Sequence, residues 1–255
     1  MTSDPFRLDG QIALVTGAAR GLGQAIALGL AGAGADTILV DVLSTEETAA
    51  RVAAFGRSAH GLKVNLATLD PAGASAVLAE AVTALGIPSI LINNAGIIRR
   101  APAVEHSWQD WQETIAIDLS AAFLLSQAFA RQRIAVKQPG KIVNVASMLS
   151  YQGGYLVPSY AAAKSGLAGL TRALANEWAR HGINVNAIAP GYMATELTAM
   201  LRSDPQRAEA MLGRIPAGRW GEPTDVQGAV IFLCSRAADY VHGTILPIDG
   251  GWLSW

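Results

Sequence analysis

Charge is scarce in this sequence. Of its 255 residues only 15% are Asp, Glu, Lys or Arg, and 19 basic residues nearly cancel 20 acidic ones, for a formal net charge of -1. Average domains carry about 25% charged residues. The near balance excludes the basic footprint of a dedicated nucleic-acid binder. An apolar fraction of 51% excludes intrinsic disorder, which needs low hydrophobicity and high net charge. Cysteine is almost missing: Cys234 stands alone, so no internal disulfide can form, and a reducing compartment is the default. The four histidines, at 60, 106, 181 and 242, are too far apart for a local metal pair, and no metal is expected. There is no Gly-x-Ser-x-Gly elbow of the hydrolase type. The longest wholly apolar or glycine run, Ala25 to Ala35, has 11 residues, against roughly 20 for a spanning helix. The opening Met-Thr-Ser-Asp-Pro-Phe-Arg lacks the basic-then-apolar pattern of a signal peptide. These absences predict a cytoplasmic protein with neither membrane nor nucleic-acid partners.

Glycine, by contrast, is plentiful at 26 residues, and β-rich runs alternate with alanine-rich ones. Strands are predicted at Ile12–Thr16, Thr37–Asp41, His60–Asn65, Ser89–Asn93, Lys141–Ala146, Asn184–Ala189 and Thr244–Pro247. Helices are predicted at Gly21–Ala33, Pro71–Leu85, Trp108–Gln132, Pro158–His181 and Pro223–Ser235. Strict strand–helix alternation with continuously apolar strands argues for βαβ crossovers and a buried parallel sheet. No linker or repeat interrupts it. The prediction is a single α/β domain over residues 1–255, a Rossmann-type doubly wound sheet of about seven strands. Residues 192–221 break the alternation and read as a small substrate lid.

The first strand runs into Thr16-Gly17-Ala18-Ala19-Arg20-Gly21-Leu22-Gly23 and then directly into a helix. Gly17 suits the sharp turn, Gly21 and Gly23 allow close approach, and a helix N-terminus attracts pyrophosphate. Asp41, at the end of the second strand, can accept from both adenosine ribose hydroxyls and repels a 2′-phosphate. Arg20 pulls the other way, since a base in this loop attracts a 2′-phosphate. The fixed like charge of Asp41 weighs more, so NAD is expected over NADP.

Tyr160 and Lys164 lie four apart on a predicted helix and so share a face. A phenol titrates near 10, too high for proton exchange at neutral pH; a neighbouring ammonium favours phenolate and makes it a usable acid or base. Ser147 falls at the end of the fifth strand, where open α/β sheets place ligands.

With these motifs assembled, the sequence resembles the short-chain dehydrogenase/reductase family over essentially its whole length. The likeness rests on the glycine loop, Asn93-Asn94-Ala95-Gly96, Ser147, Tyr160-Ala-Ala-Ala-Lys164 and Pro190-Gly191. It implies that Tyr160 is the general acid/base, that Ser147 holds the substrate oxygen, and that Lys164 binds the nicotinamide ribose and tunes Tyr160. It further implies that Asn94, Ala95 and Gly96 line the cofactor cleft, and that Asn65 and Leu66 lie on its adenine side. Backbone at Pro190 and Met193, with the Thr195 hydroxyl, would fix the carboxamide. The family assembles as tetramers through long helices, here Trp108–Gln132 and Pro158–His181, with the segment Gly250–Trp255.

Two positions depart from the family pattern. Its usual Val-Asn-Leu is Ile117-Asp118-Leu119 here. In the family that residue's main-chain carbonyl serves a proton relay, a role that survives the change, so Asp118 counts among the catalytic residues. Its carboxylate is expected to raise the lysine pKa and make Tyr160 less acidic. Asn65 stands where aspartate commonly accepts from adenine, and its side-chain oxygen can still accept.

Within the family the nearest likeness is to sugar-acid dehydrogenases, carried by the stretches around residues 93–100, 146–154, 186–195, 214–221 and 249–252. Chemistry agrees. Arg99 and Arg100 follow the fourth strand, and a guanidinium fork pairs well with a carboxylate; Gln152 and Tyr155 offer groups for hydroxyls. The expected reaction is hydride transfer between a nicotinamide and a secondary alcohol or ketone of a sugar acid. The same constellation would serve a gluconate dehydrogenase, a reductase of uronate-derived keto sugars, a 3-oxoacyl carrier-protein reductase or, outside catalysis, a silent NAD-binding sensor.

Overall fold

A computed structural model of the chain describes residues 4–254. Seven strands, β1 (Ile12–Thr16), β2 (Asp36–Asp41), β3 (Ala59–Lys63), β4 (Ile90–Asn93), β5 (Gly140–Val145), β6 (Ile183–Pro190) and β7 (Ile245–Ile248), form one sheet. Its order is β3-β2-β1-β4-β5-β6-β7, and every pairing is parallel. Ala13 registers with Thr37 on one side and Ile90 on the other. The order reverses between β1 and β4, the crevice where open α/β sheets bind ligands.

Alternation along each strand sends side chains to opposite faces. Leu14, Leu91 and Ile142 point to one core, with Leu78, Leu125, Phe129 and Leu174. Val15, Ile92 and Val143 point to the other, with Ile26, Leu30, Val230 and Leu233. The covering helices on the first face are α3 (Pro71–Ala84), α5 (Ala121–Ala135) and α6 (Pro158–Trp178), and on the second α1 (Gly21–Gly32) and α9 (Gln227–Cys234). Apolar run length alone does not announce α2 (Glu46–Ala53), whose buried residues are Thr48 and Val52. It also misses α7 (Ala199–Arg202) and α8 (Pro205–Leu212) within residues 192–221.

The predicted helix Trp108–Gln132 needs correction. It is a rod of three parts: α4 (Trp108–Ile115), a π turn at Ala116–Ser120, then α5. Ala121 N–H reaches back to Ala116 O, the i→i−5 bond that accommodates one extra residue. By length and composition this rod passes as a membrane span, but half of that window is buried inside the fold, as in a core helix. The predicted Pro158–His181 likewise stops as α-helix at Trp178 and ends in a 3₁₀ turn with Gly182 at φ 72°. Of the segment Gly250–Trp255, Trp255 lies outside the described residues.

Cys234 is buried at the end of α9, and desolvation pushes its thiol up to about 12. A thiol needs thiolate character and access to react. Native protein at pH 8 is therefore expected to resist iodoacetamide, with one equivalent alkylated only after denaturation. Rapid native labelling would contradict this burial.

Candidate active site

The glycine loop leaves β1 and is fixed from three directions. Gly17 N–H and Ala18 N–H donate to Val40 O, Ala19 N–H donates to Asp41 Oδ2 at 2.9 Å, and Asn94 Nδ2 donates to Thr16 O at 2.9 Å and Gly17 O at 3.2 Å. A methyl group at Gly23 would collide with Gly17 O, so no side chain fits between loop and helix. Nothing stands within 4 Å of the corresponding position at Gly21. No side chain caps the N-terminus of α1, and its first turn holds no acid. Open space in front of unsatisfied helix N–H groups fits a pyrophosphate.

Asp41 lies at the β2 end as predicted, half-buried, and its second oxygen accepts from Leu43 N–H at 3.0 Å. Arg20 is not simply solvated: its guanidinium pairs with Glu196, at the start of the 3₁₀ turn Glu196–Thr198. Asn65 has its side-chain oxygen engaged by Ala67 N–H at 3.0 Å, where it caps a short 3₁₀ turn starting at Leu66. The oxygen expected to accept from adenine thus already holds the local backbone. Leu66, Ala95, Thr16 and Asp118 share one small recess beneath this side of the cleft.

Ser147 follows β5, and Tyr160 and Lys164 lie on the first turns of α6. Lys164 is 3% exposed; its Nζ donates to Val145 O at 3.0 Å and sits 5.5 Å from the Tyr160 ring centroid. Ser147 Oγ accepts from Leu149 N–H at 3.1 Å, and Ser147 is close enough to the Tyr160 phenol to pull its titration down. The π turn brings Asp118 under the same cluster. Its side chain is fully buried, with Oδ2 3.4 Å from Lys164 Nζ and Oδ1 accepting from Ile97 N–H at 2.8 Å. A methyl group at Gly96 would fall 2.8 Å from Asp118 Oδ2 and 3.3 Å from Lys164 Nζ.

Burial pushes the Tyr160 phenol above its ordinary value. The Lys164 ammonium opposes it, Asp118 adds to the rise, and the Ser147 hydrogen bond and Arg100 pull it back. Lys164 acts in the expected direction, but burial outweighs it, so the net direction is the reverse of the expected one. Burial also pushes the Asp118 carboxyl up, against the pull of Lys164 and the Ile97 N–H. A half-buried phenol set beside a lysine and a carboxylate is an arrangement able to exchange a proton.

On the substrate side Arg99 is committed elsewhere, 2.7 Å from Glu113 and 3.4 Å from Asp110. Arg100 is the arginine whose charge reaches Tyr160. Gln152 is half-buried, whereas Tyr155 is 82% exposed and stands out from the cluster. Two loops above the site are stitched by Ala101 N–H donating to Leu156 O at 3.0 Å, with Leu156 at φ 63°, a strained conformation for leucine. Beyond Pro190, Met193 bridges Gly221. Its carbonyl accepts from Thr195 N–H at 3.0 Å and the Thr198 hydroxyl at 2.6 Å. Farther along, Arg214 stacks 4.0 Å over the Trp252 ring.

Sequence reasoning missed three supports. Thr16 Oγ1 accepts from both Asn94 N–H and Ala95 N–H at 3.0 Å. Asn93 Nδ2 donates to Asn144 Oδ1 at 2.8 Å, and Asn144 Nδ2 to Thr171 Oγ1 at 2.9 Å, tying β4 and β5 to α6. His106 Nε2 lies 3.0 Å from the buried Ser159 hydroxyl. Asparagines inside apolar strands were the available signal for the second.

Comparison with known proteins agrees with this fold. The family profile described as enoyl-(acyl carrier protein) reductase matches residues 17–253. The 2-dehydro-3-deoxy-D-gluconate 5-dehydrogenase of Escherichia coli is 51% identical over 254 residues, covering 100% of both chains. A crystal structure from Agrobacterium tumefaciens, provisionally identified as a 2-deoxy-D-gluconate 3-dehydrogenase with bound NADP, is 54% identical. It superposes with a TM-score of 0.94 over 99% of this chain and 100% of that one. A gluconate 5-dehydrogenase from Burkholderia cenocepacia, in complex with NADP and tartrate, is 40% identical with a TM-score of 0.93, covering 99% of this chain and 98% of that one.

Proposed function

The chain belongs to the short-chain dehydrogenase/reductase family, and from that premise we propose that it oxidises a secondary alcohol of a sugar acid, or reduces the matching ketone, with 2-dehydro-3-deoxy-D-gluconate as the leading substrate. The observation that carries the reading is the convergence of Ser147, Tyr160 and Lys164 at the strand ends beside the open glycine loop. Residues Gly17 to Gly23, Asp41, Asn94 to Gly96 and the turn after Pro190 would hold a nicotinamide dinucleotide, which supplies the hydride acceptor or donor. Tyr160 takes the hydroxyl proton in oxidation and returns it in reduction. Ser147 holds the substrate oxygen, and Lys164 steadies the charge on the phenol.

NAD is the proposed dinucleotide, because Asp41 places a carboxylate at the ribose end of β2; solved relatives carrying NADP make the comparison decisive. The test is a panel of sugar acids and neutral polyols with both dinucleotides, followed by reduced-nicotinamide absorbance. Turnover confined to sugar acids with NAD supports the reading, and none with any polyol overturns it. In Arg100→Ala, KM for a sugar acid is expected to rise about 10–100-fold, as loss of a charge-assisted contact implies, with little change for a neutral ketone. Equal effects would remove the carboxylate assignment.

A homotetramer is part of the same proposal. An apolar groove on α5 and α6, lined by Leu119, Phe123, Leu124, Gly166, Gly169 and Leu170, faces outward, and the space at Gly169 is open. Light scattering is expected to give a mass near four chains, falling to a smaller species in Gly169→Arg. A monomeric unsubstituted protein would overturn it.

A further inference from the structure

Arg20 is the last residue before α1, with extended backbone at φ −158° and ψ 177°. Its guanidinium leaves the glycine loop and meets Glu196 across the mouth of the cleft. Glu196 begins the 3₁₀ turn Glu196–Thr198, the first structure of the lid after Thr195. On the other flank of Arg20, Ala19 N–H is held by Asp41. The loop thus meets a strand-end carboxylate through the Ala19 backbone and a lid carboxylate through the Arg20 guanidinium, beside the uncapped N-terminus of α1. A planar guanidinium is the best partner a protein offers a phosphate, and in this arrangement Glu196 already occupies it.

We propose that Glu196 is a cofactor-selecting residue: by engaging Arg20 it withdraws the guanidinium from a 2′-phosphate and weakens NADP relative to NAD. The inference rests on the reading of the cleft as a dinucleotide site and adds a selector carried by the lid rather than by the sheet. Both partners are exposed, with side-chain accessibilities of 62% and 68%, so the effect is of modest scale. An exposed ion pair corresponds to about fivefold in an equilibrium constant. The mechanism also separates the two carboxylates. Asp41 acts at the ribose directly, whereas Glu196 acts only through Arg20.

The experiment is fluorescence titration of NADH and NADPH against the full chain, its Glu196→Gln variant, Arg20→Ala and the double variant. Thermal melting checks that each is folded. Glu196→Gln is expected to tighten NADPH about three- to fivefold, the upper scale of one exposed pair, with NADH unchanged within about twofold. In the Arg20→Ala background, Glu196→Gln is expected to change neither. Equal tightening of both dinucleotides, no change in either, or an undiminished effect without Arg20 would each overturn the selector. If neither dinucleotide binds the unsubstituted chain, the dinucleotide reading falls and this inference with it, so the two failures are distinct.

Discussion

Replacing Tyr160 with Phe is expected to lower kcat and kcat/KM together by about 10²–10⁴-fold, the contribution of a positioned acid or base. The substitution keeps the ring and removes only the hydroxyl. Its neighbour Lys164 stays anchored to Val145 O at 3.0 Å, and the glycine loop is untouched, so dinucleotide affinity measured by titration is expected to hold. A loss of binding as large as the loss of rate would mean that the ring, rather than its proton, is what the site needs. Activity within tenfold of the unsubstituted protein would remove Tyr160 from the chemistry altogether.

The second large effect belongs to Asp118. Asn at this position can still accept from Ile97 N–H, the bond at 2.8 Å, but it removes a charge that raises the Tyr160 phenol. The sign follows from the chemistry. Oxidation needs phenolate, so its rate rises with pH through the Tyr160 titration; removing Asp118 lowers that titration and moves the rise toward acid. Reduction needs the protonated phenol, so its fall with pH moves toward acid as well. The charged and titratable groups acting on Tyr160 are Lys164, Asp118 and Arg100; of these, Asp118→Asn changes only the carboxylate. Plateau rates are expected to stay within about tenfold, since the residue tunes the acid rather than supplying it. Profiles that coincide for Asp118 and its Asn variant would show that the carboxylate is electrostatically silent. Asp118→Ala is a harsher change. It leaves Lys164 buried without its counter-charge and Ile97 N–H without its acceptor, at a cost of about 3–5 kcal/mol in stability.

What was legible in the sequence was whatever is encoded over short distances. The strand β1 runs Ile12–Thr16 as its apolar run predicts, and β2 to β7 shift by one or two residues at their ends, where hydrogen-bonded ladders rather than composition decide. The glycine loop was legible because a strand, a close turn and a helix leave room for little else. The π turn was not, because Ala116-Ile-Asp-Leu-Ser120 has ordinary helical composition; its reason is tertiary, the need to turn Asp118 inward toward Lys164. Long-range pairings were equally hidden. Nothing near Arg99 in sequence announces that Glu113 holds it, and nothing near Arg20 announces Glu196. The sign at Tyr160 was missed for a related reason. Spacing reports that a lysine is close, whereas the depth of burial that outweighs it depends on the whole fold.

The bridge between Met193 and Gly221 has one more consequence, for how new specificities arise. Ala194 N–H donates to Gly221 O at 2.7 Å and Gly221 N–H to Tyr192 O at 3.0 Å, so the excursion they enclose is tied off at its neck. Each doubling of such a loop's length costs only about 0.6 kcal/mol in closure entropy. Ile215 and Ala217 anchor the far side of the excursion on Met148, Trp252 and Gly250, so its exchangeable part is the stretch around α8, which buries no residue and can be lengthened or trimmed while the sheet beneath is inherited intact.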